Sequence, residues 1–108
     1  MKLAAARNLA LALPEAVEAD HHGFPSFRVR GKIFATVPDD RTMRVFVDEE
    51  QIRAAVASYP DACTLGYWGA NLRFVSVDVA AVEAPVLREL LRDGWRKKAP
   101  ASLLKRLA

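Results

Sequence analysis

Cysteine is almost missing from this chain, Cys63 being its one example. No disulfide can close within the chain, and no CxxC pair exists to hold zinc or exchange electrons. Long apolar runs are missing too. None approaches the roughly 18 residues that a membrane helix needs. Near the start, Arg7 and Asn8 interrupt the apolar stretch that begins at Leu3. What remains, Leu9 to Leu13, is shorter than a secretory signal core of about 7–15 residues. The expectation is a soluble, cytoplasmic protein with no membrane partner. Nothing resembles a GxSxG elbow or a glycine-rich phosphate loop. Helix-turn-helix and zinc-finger signatures are absent, as are repeats, low-complexity segments and linkers.

The 108 residues suit one domain, 1–108, and 52% hydrophobic with 27% charged residues is a globular balance. A chain of this length buries a core without staples. Its net charge of +3 is unevenly spread. Over residues 21–47, Arg28, Arg30, Lys32, Arg41 and Arg44 face only Asp39 and Asp40. Over residues 92–108, Arg92, Arg96, Lys97, Lys98, Lys105 and Arg106 face only Asp93. The stretch between, 48–62, is acidic. Cations gathered this way steer an anionic partner; the plain alternative is a solvated face.

Residues 2–12 are rich in alanine and leucine and favour a helix, which Pro14 stops near Leu13. Ala16 to His22 reads as a strand or extended entry. Ser26–Arg30 and Lys32–Val37 alternate and form a hairpin about Gly31. Its register stays open. A three-residue loop of Arg30, Gly31 and Lys32 places Phe27, Val29, Ile33, Ala35 and Val37 on one face. Arg28 and Phe34 then share the other, and a one-residue slip changes the scheme. Pro38 to Arg41 is a turn. Thr42–Val47 is the next strand, with Arg44 and Phe46 facing away from Met43, Val45 and Val47. Asp48 and Gln51 fit a capping box for a helix running to about Ser58. Cys63–Trp68 and Leu72–Val79 form a second hairpin around Gly69, Ala70 and Asn71. Pro85 opens a helix with an apolar stripe of Val86, Leu87, Leu90, Leu91 and Trp95. Pro100 breaks it, and Ser102–Leu107 is a short basic helix. Short connections imply antiparallel pairing, giving an α+β fold: a sheet of about five strands with helices layered on it.

Candidate chemistry concentrates on the first hairpin and the strand after it. Arg28, Arg30, Lys32 and Arg44 suit phosphates, and Phe34 or Phe46 can stack on bases. The hairpin tip at Arg30-Gly31-Lys32 can also reach a groove. The competing reading puts both rings in the core, with arginine stems covering apolar surface. In the tail, Arg96-Lys97-Lys98 and Lys105-Arg106 suit a nucleic-acid backbone or simply the C-terminal ends of helices. Trp68 and Trp95 read as core anchors. His21 and His22, adjacent on an extended segment, point apart and cannot share a metal ion. A site from Asp20, His22 and Cys63 would need a coincidence of folding, and Ser26 beside His22 is a weak nucleophile signal. Asp39-Asp40 and Glu49-Glu50 serve a turn and a helix start. No cofactor, metal or catalytic residue is called for.

Three stretches carry a resemblance to a known family. They are Leu11-Ala12-Leu13-Pro14-Glu15-Ala16, then Gly23 through Ala35, then Tyr67-Trp68-Gly69 leading into Phe74-Val75-Ser76-Val77-Asp78 and a last helix with Trp95. Together they span about Leu9 to Lys98. In these the chain resembles the MmcQ/YjbR-like family. The resemblance implies helices packed on an antiparallel sheet and a DNA-binding role through the sheet and its hairpins. It brings no catalytic residues. The expected function is a non-catalytic binding domain whose partner is DNA. The alternative is a protein or a small ligand on the same face.

Overall fold

The computed structural model describes residues 1–107. Helix α1 (Leu3–Leu11) leads into strands β1 (Val17–His21), β2 (Phe24–Val29), β3 (Lys32–Thr36) and β4 (Thr42–Val45). Helix α2 (Glu49–Ser58) follows, then β5 (Cys63–Trp68), β6 (Asn71–Asp78), α3 (Ala84–Lys98) and the short α4 (Ala101–Leu104). A 3₁₀ turn, Lys105–Leu107, comes last. The α+β architecture stands as expected. The strand count changes: all pairings are antiparallel in a six-stranded sheet of order β1-β2-β3-β4-β6-β5. The sixth strand is the segment around Val17–His21, which pairs along its whole length with β2 rather than serving as an extended entry.

Local sequence explains the elements. The Asp48 backbone N–H donates to Gln51 Oε1 at 3.0 Å, one arm of the capping box that starts α2. Pro85 occupies the first turn of α3, where its missing N–H costs nothing. The β2–β3 turn is one residue tighter than expected. Val29 pairs with Lys32, leaving Arg30 and Gly31 as the loop, with φ of 49° and 79°. Two positive φ values in succession mark a type I′ turn, whose twist matches that of its strands. Gly69 and Ala70 likewise make a two-residue turn between β5 and β6, since Trp68 pairs with Asn71.

The tight turn is followed by a bulge, and together they redistribute β3. Arg28 pairs with Ile33 but Phe27 pairs with Ala35, so Phe34 is an extra residue without a partner on β2. Its carbonyl accepts from the Phe46 N–H at 3.0 Å, and its ring is fully buried in the core. The simple alternation that put Phe34 beside Arg28 is therefore corrected: Ile33 takes that place, and Phe34 packs inward.

The pairings sort residues into rows. Phe27, Ala35, Val45, Val75 and Leu65 form one row, and Met43, Val77 and Cys63 another. Helices cover this side, with α3 lying across β3 and β4, α2 across β5 and β6, and α1 against α3. Leu87, Leu91 and Trp95 of α3 are fully buried there. Trp95 also ties the layers by a polar bond, its indole N–H donating to the Pro14 carbonyl at 2.8 Å. On the other side a row of Ala19, Ser26, Thr36, Arg44, Ser76 and Thr64 crosses all six strands. Its polar character fits a face that no helix closes.

Trp95 carries the largest fully buried side chain. Truncation to alanine removes that packing and leaves the Pro14 carbonyl without its donor. Trp95→Ala is expected to lower the unfolding free energy by about 3–5 kcal/mol, read by urea denaturation. A loss below about 1 kcal/mol would show that α3 is held mainly by other contacts.

Candidate functional site

The helix-free face carries its own aromatic cluster, apart from the main core. Phe46 lies 5.5 Å from both Trp68 and Phe74, and Trp68 lies 6.3 Å from Phe74, all between ring centroids. Phe46 and Phe74 are buried, yet neither joins the cluster beneath the helices. Trp68 stays 54% exposed, with its ring braced by the other two. The cluster depends on Gly66. A Cβ there would collide with the Phe74 ring and come within 2.6 Å of the Phe74 carbonyl. The missing side chain is what lets a phenyl ring lie on the strand.

Cations surround these rings. The Arg44 guanidinium sits over the Phe74 ring, 4.9 Å from its centroid, a cation–π arrangement. Arg28 lies along the face, its Nε donating to Ser26 Oγ at 3.0 Å and its Nη2 to the Asp20 carbonyl at 3.1 Å. Between the β1–β2 side and Trp68 runs a trough of about 370 Å³, with Arg28, Thr36, Phe46 and Trp68 in its walls. Lys32, Lys98 and His21 complete its lining. Lys98 comes from the end of α3 and is half-buried. Burial, then the neighbouring charges of Lys97, Lys32 and Arg73, hold its ammonium below the ordinary lysine value.

The expected site residues divide on inspection. Arg28, Lys32, Arg44 and Phe46 do meet on or beside this face. Arg30 does not. The turn sends it to Glu15, with Nε to Oε1 at 2.7 Å, and Arg106 reaches the same carboxylate at 3.2 Å. Phe34 is core, for the reason given by the bulge. Trp68, expected as a core anchor, is instead exposed here; Lys98 was expected only with the basic tail, and Arg73 was not expected. The signal for Trp68 was present in β5, where it shares parity with Gly66 and Thr64. Lys98 was legible only as part of a basic tail, because its place beside Lys32 depends on where α3 ends against the sheet.

Other candidate chemistry lies elsewhere. Ser26 Oγ donates to the Ala19 carbonyl at 2.8 Å. His22 sits in the β1–β2 turn with φ of 53°. Cys63 is buried on β5 and burial pushes its thiol pKa up. β1 and β5 are opposite edges of the sheet, so Asp20 and His22 do not meet Cys63. No described helix is long and apolar enough to cross a membrane.

Comparison with known proteins places this geometry. The YjbR family model matches residues 11–97. The chain belongs to the YjbR family. The matched region takes in β1 through β6, and hence the whole trough except Lys98. A crystal structure of Deinococcus radiodurans protein DR2400, described by the domain DUF419, superposes on this YjbR chain with a TM-score of 0.75. The two are 22% identical, and the match covers 98% of this chain and 87% of that one. It shows a shared fold. No curated protein matches this YjbR chain.

Two outcomes follow from the site. Gly66→Ala must displace Phe74 or the strand, and should cost about 1–3 kcal/mol in chemical denaturation. An unchanged midpoint would mean that the aromatic cluster is not fixed by Gly66. The second concerns Glu15, whose carboxyl is held below its ordinary value of 4.5 first by the hydrogen bond from Arg30 and further by the Arg30 and Arg106 charges. A depressed folded pKa stabilises above the unfolded value and is lost as pH falls through the folded one. Glu15→Gln should therefore flatten the acid side of the stability curve below about pH 4.5. Parallel thermal-melting profiles for the two proteins would rule out that linkage.

Proposed function

We propose that this YjbR-family protein binds nucleic acid through the helix-free face, by phosphate contacts rather than by catalysis. One observation carries the reading. Among the described residues, Arg28, Lys32, Arg44, Arg73 and Lys98 have no carboxylate partner and gather near this face, with Lys2, Arg88 and Lys105 the other unpaired cations; ion pairs occupy Arg7, Arg30, Arg41, Arg53, Arg92, Arg96, Lys97 and Arg106. Apart from Arg88 on α3, the arginines elsewhere are paired, and these five cations stand beside exposed aromatic surface. A polyanion answers that arrangement, because each phosphate contact releases condensed counterions. The resemblance noted in the sequence points the same way. The hydroxyl of Ser26 and the thiol of Cys63 are engaged or buried, which supports binding over chemistry.

Affinity for random-sequence DNA should fall steeply with salt. The triple variant Arg28→Ala, Lys32→Ala, Arg44→Ala should lower the slope of log K against log salt by about 2–3. Arg30→Ala, which breaks only an ion pair with Glu15, should leave the slope close to wild type. A salt-independent isotherm, or a triple variant that binds like wild type, would overturn the reading.

A further inference from the structure

Resting on that reading, we propose that the trough between Lys32 and Trp68 takes one unpaired nucleotide, so that the preferred ligand is a single strand. Its size of about 370 Å³ sits near the lower end of small-molecule sites, which run from about 300 to 1,000 Å³. That is room for a single base with its phosphate. A duplex offers no base face to such a trough, since its bases are stacked on each other and show only their edges in the grooves. An unstacked strand offers both a ring and a phosphate.

The lining of the trough offers a partner to each of those two groups. Trp68 lines the trough and is 54% exposed. Phe46 and Phe74 pack against it, so stacking a base costs little ordering of the side chain. A tryptophan more than half exposed yet packed against two other rings is a surface kept for contact. Lys32, Lys98 and Arg28 share the same lining, and Lys32 stands close enough to Lys98 to act on its charge. Lys98 is half-buried beside Lys97, Lys32 and Arg73, and a phosphate placed there offsets their repulsion. Base stacking and charge pairing thus come from residues that β5, β2, β3 and the end of α3 bring to one place.

The test compares a short oligothymidylate with a blunt duplex of the same length, by fluorescence anisotropy at fixed salt. Wild type should bind the single strand more tightly. Trp68→Ala should weaken single-strand binding roughly ten- to hundredfold while leaving duplex binding unchanged. Trp68→Phe, which keeps a ring, should recover most of the loss, and Lys98→Gln should weaken the single strand without touching the aromatic cluster. Equal affinity for the two ligands, with Trp68→Ala indifferent, would overturn the nucleotide site while leaving phosphate-directed binding in place. Absence of binding to either ligand would overturn both.

Discussion

The packing of α3 across β3 and β4 is the constraint on which the rest of this molecule depends. Leu87, Leu91 and Trp95 lie over strands whose inward rows are Phe27, Ala35, Val45 and Val75. Gly94 brings the helix close enough that a Cβ would stand 3.1 Å from Val45 Cγ1 and 3.2 Å from the Phe34 carbonyl. Such close approach fixes the height of the helix, and Pro100 stops it at Lys98. That ending delivers Lys98 to the rim of the trough. With one side of the sheet closed by helices, every residue of opposite parity is left on the other side, whatever its chemistry. The site is a consequence of where the core is.

Charge is sorted by the same geometry. Cations near loops and helix ends meet carboxylates: Arg30 and Arg106 share Glu15, Arg41 holds Asp78, and Lys97 holds Asp48. Exposed pairs of this kind add little stability, so their larger effect is to remove free charge from those regions. On the helix-free face no acidic residue occupies the row of Ser26, Thr36, Arg44, Ser76 and Thr64. Arg44 instead finds an aromatic ring, and Arg28 finds a hydroxyl and a carbonyl. These partners hold the guanidinium groups in place without neutralising them. Oriented but uncompensated charge is what a polyanion-binding surface requires.

Much of this fold was legible along the chain. Alternation located five strands within a residue or two, and capping and proline signals bounded α2 and α3. The segment at Val17–His21 was harder, because its burial is weak and its strand character comes from pairing with β2. The candidate site was half legible. Arg28, Arg44 and Phe46 follow from simple parity. Phe34 defeated parity because one extra residue in β3 inverts everything on one side of it, and bulges leave no reliable mark in composition. Arg30 was misplaced for a different reason. Its partner Glu15 lies two strands back along the chain, and no spacing rule links the two.

What the residues alone determined is the pattern of two-sided strands, the breaks between elements, and a surplus of cations in two stretches. These are local properties, set by side-chain period, backbone preference and composition. The tertiary structure decided which cations remain unpaired and which aromatic ring stays exposed. It also decided that Lys98, from the far end of the chain, stands beside Lys32 and Trp68. Those outcomes depend on distances between segments remote in sequence, and such distances exist only once the helices have closed over one face of the sheet.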